Sequence, residues 1–470
     1  MTTAILPNRR EAGILLHPTS LPSGQLDQDA WRWLDQLVEL GIGVWQMLPL
    51  GLPLNGLSPY QCVSAFALNP ALFPKTSTPL ASLADTPEFT IWYQQNQSWV
   101  DDFALFMELK MAFKGAEWST WPSEYRQRSP EALATFRHAQ LEALNLHIYE
   151  QFSCWQHWQH LRAYAKQGGI RLFGDMPIFV AYDSADVWAH PELFLLDAEG
   201  KPTVVTGVPP DYFSATGQRW GNPHYNWELM QQTQFAWWRE RLRYHFDCFD
   251  LVRIDHFRGL EAAWTIPATS PTAIEGYWTK VPGDELLACL QAASGDLPLV
   301  AEDLGIITNE VTALRKKYHL PGMSVLQFAF DYFADNPHKP WNVVENTVYY
   351  TGTHDNDTLV GWFEALSPEQ QKGALDLLKQ NSFLSTEQNT GKIIDLMLAT
   401  VFQSAAGLVM LPWQDVLGLG SEARMNVPGT IEGNWHWRFD WHQVQADTLA
   451  RLKAQLQHYQ RYQTTTVANQ

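Results

Sequence analysis

Leu251-Val252-Arg253-Ile254-Asp255 is a short apolar run that stops abruptly at a carboxylate, and the chain repeats the arrangement at Leu297-Pro298-Leu299-Val300-Ala301-Glu302 and Val348-Tyr349-Tyr350-Thr351-Gly352-Thr353-His354-Asp355. Each run reads as a buried strand that delivers an acid at its C-terminal end. In a parallel barrel all such ends open on one face, where active sites are assembled from the tips of several strands. Two carboxylates with a third acid on that face are the equipment needed to break a glycosidic bond.

Working outward, strand-like runs alternate with amphipathic helical patterns, the signature of repeated βα units around a parallel sheet. The runs at Gly13 to Leu16, Val44 to Leu48, Arg171 to Val180, Leu251 to Asp255, Leu297 to Glu302, Met323 to Phe330, Val348 to Thr353 and Gly407 to Leu411 make eight. The fold expected is a (β/α)8 TIM barrel with long insertions in its βα loops, filling residues 1–470 as a single catalytic domain. After the first run, Ala30, Trp33, Leu34, Leu37 and Val38 keep helical spacing, with Asp29 as the expected cap and Gly41 as the expected left-handed stop. Residues 58–150 break the alternation and read as a largely helical insertion. Residues 196–226, rich in Gly, Pro and aromatics, read as an irregular loop over the active-site cleft.

The spacing of the acids carries the chemistry. Asp255 and Glu302 lie 302 − 255 = 47 positions apart, room for one crossover, so the two belong on neighbouring strands. Another run precedes Asp355, which places that acid two strands further round, facing the pair. Arg253 shares a strand face with Asp255 by period-two alternation and favours its charged form, as a nucleophile requires. Glu302 follows an apolar strand whose desolvation would raise its pKa, as an acid/base requires. Asp355, beside His354, is placed to hold sugar hydroxyls and steady a positive transition state. A single acid at a strand end more often caps a helix or meets a basic neighbour, but three at equivalent ends form a constellation. A divalent-metal site built from the same acids is the sharper rival, although only one His joins them.

Composition narrows the partners. A net charge of −18 repels phosphate backbones and anionic lipid, and no basic cluster overrides it, so neither nucleic acid nor membrane is expected. Twenty-two Trp residues exceed the needs of a core, and flat aromatic faces can stack on sugar rings. Cys62, Cys154, Cys248 and Cys289 are scattered singly, without zinc-site spacing or the density of a secreted disulfide framework. With no signal-like leader and no apolar run of membrane length, the chain reads as cytoplasmic.

Three motifs then match a known family. Arg253-Ile254-Asp255-His256-Phe257-Arg258-Gly259, Ala301-Glu302-Asp303-Leu304-Gly305 and Gly352-Thr353-His354-Asp355-Asn356-Asp357-Thr358 resemble the central motifs of the amylomaltases, the 4-α-glucanotransferases of glycoside hydrolase family 77. Leu16-His17-Pro18-Thr19-Ser20-Leu21-Pro22, Trp45-Gln46-Met47-Leu48-Pro49-Leu50, Ser58-Pro59-Tyr60, Gly174-Asp175-Met176-Pro177, Gly207-Val208-Pro209-Pro210-Asp211 and Arg424-Met425-Asn426 resemble it too, in the family's order. The resemblance implies a retaining mechanism with Asp255 as nucleophile, Glu302 as acid/base and Asp355 as transition-state stabiliser. It further implies that Arg253 and His354 bind the sugar at the cleavage point, and that Tyr60, Asp211, Trp220 and Asp331 line donor and acceptor sites. Gly207 to Asn222 resembles the family's loop over the cleft, which would disfavour water as acceptor.

The chain departs from the family at Ser23-Gly24-Gln25-Leu26-Asp27-Gln28, where a Gly-rich segment is usual, and at Leu57, where an acid commonly precedes Ser-Pro-Tyr. Both changes fall at the cleft rim and bear on glucan length rather than chemistry. The function expected is transfer of α-1,4-glucan segments between malto-oligosaccharides or starch-like glucans, without cofactor, metal or obligate protein partner. An α-glucan hydrolase of amylase type shares the same acids and is the alternative. A non-enzymatic glycan-binding barrel is the alternative from another class.

Overall fold

The computed structural model describes residues 5–6, 10–54, 56–76, 79–210, 214–381, 383, 393–430 and 432–463. Twelve strands are named within them: β1 (Glu11–Leu15), β2 (Val44–Gln46), β3 (Arg171–Pro177), β4 (Val204–Val208), β5 (Gln218–Pro223), β6 (Leu251–Asp255), β7 (Ala262–Pro267), β8 (Tyr277–Lys280), β9 (Leu299–Ala301), β10 (Gly322–Val325), β11 (Thr347–Tyr350) and β12 (Leu408–Pro412). Eight form one parallel sheet in the order β10-β11-β12-β1-β2-β3-β6-β9. At its two ends the Ala301 amide donates to the Pro321 carbonyl (2.9 Å), and the Met323 amide donates to the Asp303 carboxylate (2.7 Å), which draws β9 to β10 and closes the sheet as a TIM barrel.

The eight runs read from the sequence correspond to these eight strands with shifted edges. β3 stops at Pro177 rather than Val180, and β10 gives way to a 3₁₀ turn at Leu326–Phe328. Hydrophobicity continues past the last ladder bond in both places, because the residues that follow pack on the barrel rim. Val44, Phe173, Leu251, Val300, Met323, Val325, Val348, Tyr350, Leu408 and Met410 form one buried cluster, the filling of the barrel. Strand alternation then fixes what stands above it. Leu251 points inward, so Arg253 and Asp255 do as well; Phe173 carries Asp175 above it, and Val300 carries Glu302. Apolar side chains fill the lower barrel and charged ones line its mouth. Between them the buried Tyr350 hydroxyl donates to Gln46 Oε1 at 2.8 Å.

The helix after β1 spans Gln28–Leu40 and buries Ala30, Trp33, Leu34, Leu37 and Leu40. Gly41 ends it in the left-handed region, with φ +70°, as its position implies. The cap differs from the expectation. Asp27 is the N-cap, its carboxylate accepting from the Asp29 amide, while Asp29 sits in the first turn and accepts from the Ser23 amide at 2.9 Å. Two nearby acids compete for one cap, and the one that precedes the first helical residue wins. Between β2 and β3 lie the helices Pro87–Ala112, Pro130–Ala139 and Leu141–Gln167, the last running well beyond residue 150.

The described residues of 196–226 are more regular than their composition suggests. They contain β4 and β5, antiparallel partners in a second sheet of order β5-β4-β7-β8. The Cβ of any residue other than glycine at Gly207 would lie 2.1 Å from the Gln218 carbonyl, so glycine there permits the close pairing. β5 begins exposed and β8 is exposed throughout, which erases the alternation that marks a half-buried strand. Among the described residues no helix is long and apolar enough to cross a membrane. Cys154 and Cys248 are buried, Cys62 and Cys289 partly so, and all four are free.

Candidate active site

Ladder register brings the first two acids together. Ile254 pairs with Ala301, so Asp255 and Glu302 are the next residues out on adjacent strands. Asp175, which faces Arg253 across the β3–β6 ladder, completes the group. Arg253 is buried and bridges two carboxylates, with Nη1 on Asp175 Oδ2 at 2.7 Å and Nη2 on Asp255 Oδ1 at 2.8 Å. Burial alone would lower its pKa, yet Asp175 and Asp255 more than offset this and hold it well above the ordinary arginine value. The bridge fixes the Asp255 carboxylate and leaves it partly open to the cleft.

Glu302 has a different surrounding. Oε2 accepts from the His256 amide at 2.8 Å and Oε1 from the Leu304 amide at 3.1 Å. Burial, joined by the charge of Asp255 and opposed by Arg253, raises its pKa to about 7. His256 presents that amide from a left-handed backbone with φ +55°, uncommon for a side-chain-bearing residue and typical of functional turns. Its ring is pushed down to about 4, chiefly by burial, and meets Trp220 edge to face at 4.9 Å. The imidazole packed against Trp220 is therefore neutral.

Asp355 rises from the loop after β11, two strands beyond β9. Asn426 donates to Asp355 Oδ1 at 2.6 Å, Arg424 donates to its backbone carbonyl at 2.7 Å, and His354 Nε2 lies 3.3 Å from Oδ1. The His354 ring stacks on Tyr60 with centroids 5.1 Å apart, and Trp435 leans over both. Tyr60 in turn donates from its hydroxyl to Asp175 Oδ2 at 2.7 Å. One chain of contacts thus runs from Asp355 through His354, Tyr60, Asp175 and Arg253 to Asp255.

The structure gathers Tyr60, Trp220, Arg253, Asp255, Glu302, His354 and Asp355 around the barrel mouth. Asp331 stands apart, in the turn after β10, where it meets Lys339 at 3.4 Å and the Phe333 amide at 3.1 Å rather than any other candidate. Asp211 lies outside the described residues. Asp175 is a site residue that the sequence reading does not include, although its Gly-Asp-Met-Pro motif is visible and a buried Arg253 demands more counter-charge than one partly open acid supplies. Burial raises the Asp175 pKa while Arg253 opposes the shift, and its Oδ1 is buried without a protein partner. Asn426 and Arg424, the holders of Asp355, belong to another quoted motif. Among the described residues no group of three or more His, Cys, Asp and Glu side chains is placed to share a metal ion.

Glycoside hydrolase family 77, described as 4-alpha-glucanotransferase, matches residues 15–82 and 73–444. The chain belongs to that family. It is 44% identical over 490 residues to the 4-alpha-glucanotransferase of Thermus thermophilus, covering 95% of this chain and 98% of that one. It is 43% identical over 482 residues to the Synechocystis enzyme of the same description, covering 92% and 94%. In structure it matches the amylomaltase of Streptococcus agalactiae, solved in complex with acarbose, with a TM-score of 0.89, 33% identity, and coverage of 97% of this chain and 100% of that one. The enzyme is therefore a 4-alpha-glucanotransferase built on a TIM barrel.

Proposed function

We propose that the enzyme moves α-1,4-glucan segments between malto-oligosaccharides by a retaining double displacement. Asp255 attacks the anomeric carbon as Glu302 gives its proton to the departing 4-oxygen, and a glycosyl ester on Asp255 results. The carboxylate of Glu302 then takes the proton from an incoming 4-hydroxyl, which attacks the same carbon and releases Asp255. Electrons and protons balance without a metal or cofactor, because the two carboxylates suffice. Asp355, oriented by Asn426 and His354, meets the positive charge of the transition state, while Arg253, Tyr60, Trp220 and His354 hold the sugar. Asp211 and Asp331 would act further along the glucan.

The observation that carries this reading is the contrast between neighbours on one ladder. Asp255 is fixed by Arg253, whereas burial raises Glu302 to about 7, so that it keeps its proton to a higher pH than an ordinary carboxyl, as an acid catalyst must. Residues 1–470 act as one catalytic unit, with the helical segment 58–150 and the cleft segment 196–226 as elaborations of the barrel. The cleft segment, carrying Trp220, would cover the ester and favour a sugar hydroxyl over water. The substrates fitted are malto-oligosaccharides, maltodextrin and starch-like glucans in the cytoplasm, with no obligate protein partner, nucleic acid or membrane.

Incubation with pure maltotriose, with and without EDTA, tests the reading. Glucose and longer oligosaccharides should form at a constant number of reducing ends, indifferent to EDTA. Rising reducing ends would favour hydrolysis instead, and an EDTA-sensitive reaction would reopen the metal.

A further inference from the structure

The two edge strands of the antiparallel sheet both reach back to the loop that follows Asp255. From β5, Trp220 meets His256; from β8, Trp278 meets Arg258, whose guanidinium carbon lies 3.8 Å from the Trp278 ring centroid. Arg258 is itself held, donating from Nη1 to the Ile306 carbonyl at 2.6 Å, on the segment that leaves Glu302. Trp264, opposite Trp278 in register, packs edge to face against it at 5.1 Å. The Trp278 ring is thus flanked by Arg258 and Trp264, while 39% of the residue is open to solvent. Ile306, 68% exposed, continues the apolar surface toward Glu302.

We infer that Trp278 is a remote glucan-binding platform, against whose solvent-exposed part a sugar unit beyond the cleavage point packs. A pinned, half-open indole presents apolar area at little further cost in conformational freedom, as the apolar face of a pyranose ring requires. Arg258, which follows Asp255, and Ile306, which follows Glu302, tie the Trp278 ring to the two segments that leave the catalytic acids, so a glucan extending from the mouth on this side meets it. A neutral glucan is also indifferent to the net charge of −18 that would repel an anionic partner. The inference rests on the glucan-transfer reading above, and it adds a determinant of substrate length on a strand that no motif of the family resemblance included.

The test compares transfer from maltotriose and from maltoheptaose to a fixed glucose acceptor, in the wild type, Trp278→Ala, Trp278→Phe and Tyr277→Ala. Tyr277, on the opposite face of β8, is the control. With Trp278→Ala, kcat/KM for maltoheptaose should fall about fivefold, mostly through KM, while maltotriose loses clearly less, because a remote stack contributes uniform binding only to a chain long enough to reach it. Trp278→Phe should recover most of the loss, and Tyr277→Ala should track the wild type at both lengths. Equal losses at the two lengths, no loss with either donor, or an equal effect of Tyr277→Ala would overturn the platform. If Trp278→Ala does not fold, Trp278→Leu keeps cover over Arg258 without a flat ring and should show the same length dependence. A wild type inactive on maltotriose would sink the transfer reading itself, a result separate from any of these.

Discussion

Strands β6 and β9 are neighbours on one ladder, apolar along their length and tipped by acids, yet their ends are opposite environments. The β6 end is saturated with charge: Arg253, buried, joins Asp255 to Asp175, and Tyr60 adds a hydroxyl. At the β9 end, among the described residues, the hydrogen bonds to the Glu302 carboxylate come from the backbone amides of His256 and Leu304, and desolvation outweighs the pull of Arg253. The difference shows how one fold makes two unlike carboxylates a residue apart in register. Sequence chooses the partner two positions back, arginine on β6 and valine on β9, and strand alternation delivers that choice to the mouth.

The largest way to break this contrast is Asp255→Asn, which removes the nucleophile and should lower maltotriose transfer by roughly 10⁴-fold or more while the fold persists, read as kcat with circular dichroism as a control. Glu302→Gln should cost less, between about 10² and 10⁴-fold, since proton transfer is lost but the nucleophile remains. Full activity in that variant would remove Glu302 from the acid/base role. Arg253→Met strikes the shared clamp and leaves the buried Asp175 carboxylate without its cationic partner, with the Tyr60 hydroxyl still donating to it. Its denaturation midpoint should fall by the equivalent of about 3–5 kcal/mol. Tyr60→Phe deletes one of the two donors to Asp175 and should cost only about 1 kcal/mol of stability.

The pH dependence sharpens the same contrast. Glu302 must be protonated to serve as acid, so kcat/KM should decline as pH rises through about 7, and Glu302→Gln should abolish that limb along with the activity. Stability follows the sign of the shift. A carboxyl whose folded pKa lies above its unfolded value binds more protons folded than unfolded, so between about pH 4.5 and 7 Glu302 makes the fold less stable as pH rises. Glu302→Gln should therefore raise the melting temperature at pH 8 more than at pH 4.

Much of this was legible in the sequence because it rests on periodicity. The alternation Leu251, Arg253, Asp255 announces an inward file with a charged top, and the crossover length to Glu302 makes the two acids neighbours. The rest depends on contacts across the sequence. That Arg253 serves Asp175 as well as Asp255 follows from the β3–β6 register, which a single strand cannot reveal. The antiparallel sheet stayed hidden because β5 and β8 bury too little to show a pattern, and its edge contacts with His256 and Arg258 depend on tertiary placement. The left-handed His256 that turns its amide toward Glu302 has no local signal at all, since histidine is not the residue that φ of +55° favours.

The most direct trial of the account uses Glu302→Gln with α-maltosyl fluoride, whose leaving group departs without an acid and whose ester would persist without a base. Proteolysis and mass spectrometry of the trapped protein should find the maltosyl group on the peptide containing Asp255. Donor turnover with no adduct, or an adduct on another residue, would contradict the assignment of Asp255 as nucleophile and the division of labour between the two strands.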